Sequence, residues 1–382
     1  MKIAIVTGSR AEYGLLRPLI KLFHESLDFE LQLLVTGMHL SPEFGLTINE
    51  IKKDAFPIKK EIEVLLSSDT SVGISKSIGL GIISFSEVFQ DIKPELVILL
   101  GDRYEIFSAA VAAMASRLPL AHIHGGEITE GAIDEAIRHS ITKMSHLHFV
   151  AAEDYKKRIL QLGEQSKYVF NVGALGIENI KKTKLIEKNV LEKEMNFKFG
   201  ERSFIVTFHP TTLEPKDSKS QVSNLLDALS KQKNTNIIFT YPNADSEGRI
   251  FIQMINEFCK KHPNAKAFSS LGQVKYFSCI KYVDAVLGNS SSGIIEVPSF
   301  KKGTINIGNR QKGRLKSSSI IDSSCDTNDI CKAIDKLFSL DFQITLNKVD
   351  NIYGPGDTSY KIFNIIKNLD FKNILKKKFN DI

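Results

Sequence analysis

With 382 residues the chain is long enough for two domains with sizeable cores, and its 42% apolar and 25% charged residues are ordinary for a soluble globular protein. The net charge of +6 favours anionic ligands slightly and does not argue for nucleic acid. The run Lys376-Lys377-Lys378 reads as a solvated helix face, with no nucleic-acid module beside it.

Lys2-Ile3-Ala4-Ile5-Val6 already reads as a core strand, so no signal peptide is expected, and no apolar run approaches the span of a bilayer. Cys259, Cys279, Cys325 and Cys331 are scattered without a CxxC pair, which suits a reduced cytoplasmic protein. In chain order, strands are expected at 3–6, 30–35, 58–64, 96–100 and 118–123. Helices are expected from the first glycine turn to 23 and at 44–52, 75–90, 106–117 and 134–145. The second half continues with strands at 204–208, 236–240, 267–268, 285–287 and 304–307. Its helices are expected at 221–231, 250–261, 274–280, 294–298 and 358–369. This alternation predicts an α/β chain with two doubly wound, Rossmann-like domains facing a cleft. The expected boundaries are 1–173 for a domain with most acid/base residues, 174–357 for a nucleotide-binding domain, and 358–382 for a helix crossing back to the first domain.

Ionisable groups cluster just past two strand ends in the first half, where open α/β sheets bind ligands. Gly101-Asp102-Arg103-Tyr104-Glu105 follows one strand. His122-Ile123-His124-Gly125-Gly126-Glu127 ends the next, and Asp134-Glu135-Ala136-Ile137-Arg138-His139 lies on a helix. Each domain also carries a glycine-rich strand-to-helix turn, 8–14 and 288–293. Backbone N–H groups at such turns suit phosphate. Arg10 and Arg310 add bidentate cations, which points to a diphosphate ligand. The bland readings are helix caps: Asp102 for the helix beginning near Tyr104, and the serine–glycine turn for the helix that follows it. No GxxxxGK[ST] is present, which excludes a P-loop ATPase, and no GxGxxG follows the first strand, which counts against a dinucleotide oxidoreductase. His122, His124, His146 and His148 recur at strand spacing without a nearby cysteine, so no metal site is expected.

Taken together, Thr7-Gly8-Ser9-Arg10-Ala11-Glu12-Tyr13-Gly14, Thr36-Gly37-Met38-His39, Gly101-Asp102-Arg103, His122-Ile123-His124-Gly125-Gly126-Glu127, Ile137-Arg138-His139 and Gly288-Asn289-Ser290-Ser291-Ser292-Gly293, with Glu296 and Arg310, resemble the hydrolysing UDP-N-acetylglucosamine 2-epimerases. The resemblance spans nearly the whole chain. It implies the two-domain glycosyltransferase-B architecture and the reaction of UDP-N-acetylglucosamine with water to N-acetylmannosamine and UDP, feeding sialic acid synthesis. It implies no NAD and no obligatory metal, a cytoplasmic homodimer or homotetramer, and no nucleic-acid or membrane partner. Asp102, Glu127 and Asp134 then match catalytic acids, and His209 matches a histidine assisting the leaving phosphate. Many relatives have glutamate where His124 stands, so His124 shares the acid/base assignment with Glu127. Arg10, Ser290, Ser291, Glu296 and Arg310 match nucleotide-binding positions, and Gly14, His39, Arg103, Arg138, Asn243, Ser292 and Arg314 further substrate contacts. Two alternatives stand beside this reading. One is the same reaction on a nucleotide-linked 2,4-diacetamido-2,4,6-trideoxyhexose of the legionaminic acid route. The other is a sugar transferase, which the architecture alone would allow.

Overall fold

In the computed structural model, residues 1–66, 70–129, 133–209, 218–241 and 248–381 are described. β1 (Lys2–Thr7) is buried after its first residue and lies inside a parallel sheet. It is followed by α1 (Arg10–Glu25), β2 (Glu30–Thr36), α2 (Ile48–Lys53), β3 (Ile58–Ile62), α3 (Ser71–Ile92), β4 (Leu96–Leu100) and α4 (Tyr104–Ala115). Then come β5 (Leu120–Ile123), α5 (Ile133–Met144), β6 (Leu147–Val150), α6 (Glu153–Gln161), β7 (Val169–Asn171) and α7 (Leu175–Lys182). Among the described residues these strands form a seven-stranded sheet in the order β3-β2-β1-β4-β5-β6-β7, every pairing parallel.

The second unit holds α8 (Lys188–Met195), β8 (Arg202–Thr207), α9 (Ser218–Ser230), β9 (Thr235–Thr240), α10 (Gly248–Lys261), β10 (Ala265–Phe268) and α11 (Gly272–Tyr282). It continues through β11 (Ala285–Gly288), α12 (Ser291–Ile295), β12 (Gly303–Ile307), β13 (Ile320–Ser323), α13 (Thr327–Leu337) and α14 (Leu340–Lys348). Its sheet order is β10-β9-β8-β11-β12-β13, again parallel throughout. In both sheets the chain winds outward from the first strand and then reverses across it. The reversal falls between β1 and β4 in one unit and between β8 and β11 in the other. Strand ends flanking such a reversal leave a crevice for a ligand. The expected class, two doubly wound α/β halves, is therefore what the chain forms.

Apolar residues cover both faces of each sheet, as a parallel sheet requires. In the first unit Leu16, Phe23, Ile362 and Ile366 pack on one face, and Phe85, Phe89, Ala109, Ala113 and Ile141 on the other. Each fully buried Phe or Ile stabilises by roughly 1.5–3 kcal/mol. Ile362 and Ile366 belong to α15 (Thr358–Asn368), in a closing segment, Tyr353–Ile382, that belongs to the first unit together with Met1–Glu127 and Ile133–Asn179. That segment is fastened at both ends. Ala174 N–H donates to Tyr353 O (2.8 Å), and Ser359 N–H to the buried Glu178 carboxylate (2.6 Å). Farther along, Lys377 Nζ donates to Glu164 Oε2 (2.7 Å), which also accepts from His148 Nε2 (3.1 Å). Burial alone would push the Glu164 carboxyl up. Hydrogen bonds from His148, Lys143 and Lys377 outweigh it and bring the group down to about 2.

Three expectations need correction. The helix expected at 44–52 is the shorter α2, preceded by 3-10 turns at Gly37–Leu40 and Pro42–Phe44 and a left-handed Gly45. The helix expected at 294–298 begins earlier, at Ser291, because Ser290 caps it, and it gives way to a 3-10 turn, Val297–Phe300, where Pro298 lacks an N–H. Finally, α3 is long and apolar enough to meet the length and composition of a bilayer span, with a mean hydropathy of 1.3. Its Gly73, Ser77, Gly81, Phe85, Phe89 and Ile92 are buried along one face, and it packs on α4.

Candidate active site

At the end of β1, Ser9 adopts extended backbone and caps α1, its Oγ accepting from Glu12 N–H at 3.4 Å. Glu12 reaches back and accepts from Gly8 N–H at 2.7 Å, so S-x-x-E acts here as a capping pair. The Gly8 amide that the sequence offered to phosphate is therefore already engaged. Burial pushes the Glu12 carboxyl up to about 7, against the opposing charge of Arg103. Arg103 lies 3.2 Å from the fully buried Glu105 and 3.8 Å from Glu12, a bridge between β1 and β4. Gly37 closes the neighbouring turn with φ +58, and an added Cβ would meet Gly8 O at 2.9 Å and Glu105 Oε1 at 3.0 Å. Only glycine satisfies both the dihedral and the space.

Asp102 does not cap α4; that place is taken by Arg103, which makes no side-chain cap bond. The Asp102 carboxylate instead pairs with the Arg138 guanidinium. Arg138 is only 3% exposed, and its Nη1 also donates to Glu127 O at 3.0 Å and to Glu135 Oε2 at 3.4 Å. One buried arginine thus joins the β4 end, the β5 turn and α5. Arg138, expected to bind substrate, is engaged in holding the acids. Asp134 stands in the first turn of α5, half-buried and one helical turn before Arg138, which places the two on the same helix face.

His124 has φ +65, a left-handed conformation uncommon for a residue with a Cβ, directly after β5. Its Nε2 accepts from Leu175 N–H at 3.4 Å. The proton therefore sits on Nδ1, which donates to Glu127 Oε1 at 2.8 Å. Glu127 is 3% exposed. Among the other expected contacts, Gly14 has open space where a side chain would stand, while Arg10 is exposed and paired with Glu50 at 3.1 Å. His39 is fully buried and both ring nitrogens are taken, by Thr7 Oγ1 (3.0 Å) and Thr47 Oγ1 (2.8 Å). As placed it ties two strand-end turns together and presents no surface to a ligand.

In the second unit Asn289, 1% exposed and directly after β11, is the hub. Its side chain clamps His209, accepting from His209 N–H at 2.7 Å and donating to His209 O at 2.8 Å. Its carbonyl accepts from Arg310 Nη1 (3.1 Å) and Gln311 Nε2 (2.9 Å). Burial pushes the His209 imidazole down to about 3, and the Arg310 charge adds to it. Gly288, at φ +132, brings its backbone against the Thr207 carbonyl, so an added Cβ would overlap it. Ser290 caps α12 by accepting from Ser292 N–H at 3.4 Å. Ser291 is half-buried in the first turn of α12, and Ser292 follows it. Glu296 ends that helix, its carboxyl raised by desolvation. Arg314 follows in the turn, its N–H on Gln311 O at 3.3 Å, and Gly293 lies against Thr304 (2.8 Å to an added Cβ). Asn243 lies outside the described residues.

Sequence reasoning missed Glu12, His122, Asn289 and Gln311 as parts of these sites. The S-x-x-E spacing and an asparagine straight after a strand-ending glycine were the available signals. Among the described residues no group of three His, Cys, Asp or Glu side chains is placed to hold a metal ion.

His39, His122 and His209 are buried and held neutral, with pKa pushed down by burial to about 4, about 3 and about 3. In the unfolded chain each would protonate near pH 6.5, so below that the unfolded state binds more protons and folding loses stability as pH falls. The expected slope is roughly 1.4 kcal/mol per pH unit for each histidine until its folded pKa is reached. Urea midpoints at pH 7 and pH 5 check this; equal midpoints would mean the imidazoles are not held neutral.

Residues 21–367 match the family described as UDP-N-acetylglucosamine 2-epimerase. The chain is 46% identical over 383 residues to a Campylobacter jejuni protein named GDP/UDP-N,N'-diacetylbacillosamine 2-epimerase (hydrolyzing), covering 100% of this chain and 99% of that one. It is 42% identical over 386 residues to the Escherichia coli polysialic acid biosynthesis protein P7, covering 100% and 97%. Its fold resembles the crystal structure of the Neisseria meningitidis UDP-GlcNAc 2-epimerase bound to UDP-GlcNAc, with a TM-score of 0.82 over 96% of this chain and 100% of that one at 19% identity. With a family match over most of the chain and a full-length relative 46% identical to it, the chain belongs to the UDP-N-acetylglucosamine 2-epimerase family of enzymes.

Proposed function

We propose that the chain is a hydrolysing 2-epimerase acting on a UDP-linked 2,4-diacetamido-2,4,6-trideoxyhexose, releasing UDP and the free 2-epimer. The observation that carries this choice of sugar is the full-length, 46% identical relative named for diacetylbacillosamine. It reverses the order of the sugars expected from the motifs. The second reading, UDP-N-acetylglucosamine to N-acetylmannosamine for sialic acid synthesis, is favoured by the 42% identical relative named for polysialic acid biosynthesis.

The chemistry is shared. C2–H is not next to a carbonyl, so loss of UDP must lead. The C1–O bond breaks with its electron pair leaving on UDP, and oxocarbenium character builds at C1. A carboxylate removes the C2 proton, giving a 2-acetamidoglucal. Water then adds its oxygen to C1, and a proton reaches C2 from the opposite face. Two faces need at least two acid/base groups, and developing positive charge favours nearby carboxylates. Asp102, Glu127 and Asp134 are the proposed acids, the first two tied through Arg138. Glu127, oriented by His124, is the carboxylate of that pair, which assigns His124 the supporting part. His209 and Arg310 face the leaving diphosphate, with Ser290, Ser291 and Glu296 on the nucleotide. The test is parallel turnover of both UDP-sugars in deuterated water. Faster release of UDP and a C2-deuterated epimer from the 4-acetamido sugar supports the first reading; a preference for UDP-N-acetylglucosamine sinks it.

Asn289→Ala is expected to weaken UDP binding by about tenfold, since the two side-chain hydrogen bonds that place His209 are lost, each worth roughly 0.5–1.5 kcal/mol. Calorimetric titration with UDP measures it, and unchanged affinity would remove His209 from the nucleotide site. The same reading has the chain working in the cytoplasm as a homodimer or homotetramer. The exposed Val72 and Ile83 of α3, each 61% accessible, support self-association.

A further inference from the structure

We propose that His122 is a positioning residue that fixes the spacing of the three acid-bearing segments, an inference that rests on the acids named under the proposed function. His122 lies in β5, between β4 and β6, and is fully buried, so it does not touch substrate. Its Nε2 is 2.8 Å from Gly101 O, which only accepts, so Nε2 carries the proton. Nδ1 is then the acceptor for the Thr142 hydroxyl at 3.1 Å. Gly101 stands immediately before Asp102 with φ +81, and Thr142 stands one turn after Arg138 on α5. The third segment closes on the same pair. A Cβ built at Gly125 would lie 2.9 Å from Thr142 Oγ1 and 3.0 Å from His122 Nδ1, so the turn that carries Glu127 is seated against them.

One imidazole therefore fastens the Asp102 turn and α5 by hydrogen bonds and the Glu127 turn by contact. A core position needing only volume would take Leu or Phe; here the ring supplies one donor and one acceptor at fixed separation, and both are used. Burial keeps the ring neutral, with its pKa near 3, so this donor–acceptor pattern persists across the working pH range. Its neighbour across the sheet, His148, is engaged with Glu164. Misplacing a catalytic group by about 1 Å costs on the order of 10²-fold in rate, which sets the scale of the expected effect.

Three substitutions separate positioning from filling. His122→Gln keeps an N–H near the Nε2 position, His122→Asn is too short to reach Gly101, and His122→Phe keeps volume without polar atoms. In the intact protein, kcat and KM for UDP release, UDP affinity, and hydrogen exchange of residues 101–105 are measured. His122→Asn and His122→Phe are expected to lower kcat by about 10- to 100-fold with KM within about threefold, and His122→Gln to recover most of the loss. Thr142→Val, which removes only the hydroxyl, is expected to lower kcat less, by about three- to tenfold, and carries the test if His122→Phe does not fold. Wild-type kcat in folded His122→Asn, or His122→Gln as impaired as His122→Asn, overturns the proposal. If the wild-type chain turns over neither UDP-sugar, the proposed function has failed and exchange alone decides this one. Faster exchange at 101–103 in His122→Asn but not in His122→Gln supports it, and equal exchange overturns it.

Discussion

Replacing Asp102 by asparagine is expected to lower kcat by about 10²-fold or more, the usual loss for an acid/base group, with UDP affinity little changed. Asparagine keeps the size of the side chain and can still accept a hydrogen bond from Arg138, so the fold should stand; what is lost is the charge and the base. Glu127→Gln and Asp134→Asn are expected to do the same by the same logic. The three differ in which half-reaction they stop. A variant that still releases UDP but accumulates the 2-acetamidoglucal has lost the group that serves hydration. A variant that releases no UDP has lost the first step. Measuring UDP, glucal and C2 deuterium side by side distributes the roles. Turnover near wild type in Asp102→Asn would remove Asp102 from the catalytic set, since Glu105, the other acid close after β4, is buried against Arg103.

Arg138→Met should be the most damaging single change to stability in the first unit. It leaves the Asp102 carboxylate without its partner and the buried Glu127 carbonyl without Nη1. Breaking a buried pair from one side costs about 3–5 kcal/mol. Asp102 keeps 24% side-chain exposure, so the low end, about 3 kcal/mol, applies. For a unit of this size that corresponds to a fall in Tm of roughly 6–12 °C. Activity should fall with it, because the β4 end, the β5 turn and α5 lose their common anchor. Arg138→Lys should restore part of the stability and little of the activity, because an ammonium cannot reproduce the guanidinium fork. An unchanged Tm in Arg138→Met would show that the three segments are placed by packing alone.

The alternation of buried strands with helices was legible in the sequence because period and turn residues are local properties. The positions of Asp102, Glu127 and Asp134 near strand ends were legible for the same reason. What lay beyond reach was direction. His39 and His122 occur in motifs as polar as those holding His124, yet their rings point inward: strand register decides it for His122, and for His39 the turn after β2 that seats the ring between Thr7 and Thr47. Arg138 read as a substrate cation because its polar partners Asp102, Glu127 and Glu135 come from segments up to 36 residues away. Gly8 offered an amide to phosphate until Glu12, four residues on, turned back to take it. The expectation that no apolar run approaches a bilayer span failed on α3 for another reason: Ser, Gly and Lys interrupt its apolar residues in sequence, while the average over the whole helix stays apolar.

The return of Tyr353–Ile382 to the first unit has a consequence for synthesis on the ribosome. The sheet of that unit is complete once β7 has emerged, but the face formed by Leu16, Phe23 and Phe29 waits for Ile362, Ile366 and Phe363. Between them lies nearly all of the second unit, Ile180–Ile352. At about 5–20 residues per second, the unfinished face is exposed for on the order of ten seconds or more while the second unit is translated. The second unit, continuous apart from the short piece Ile128–Ala132, is free to fold during that interval. The acids of the first unit therefore rest on a core that is finished last, and a nascent chain stalled after β13 would present an apolar face to chaperones with its catalytic sequence already made.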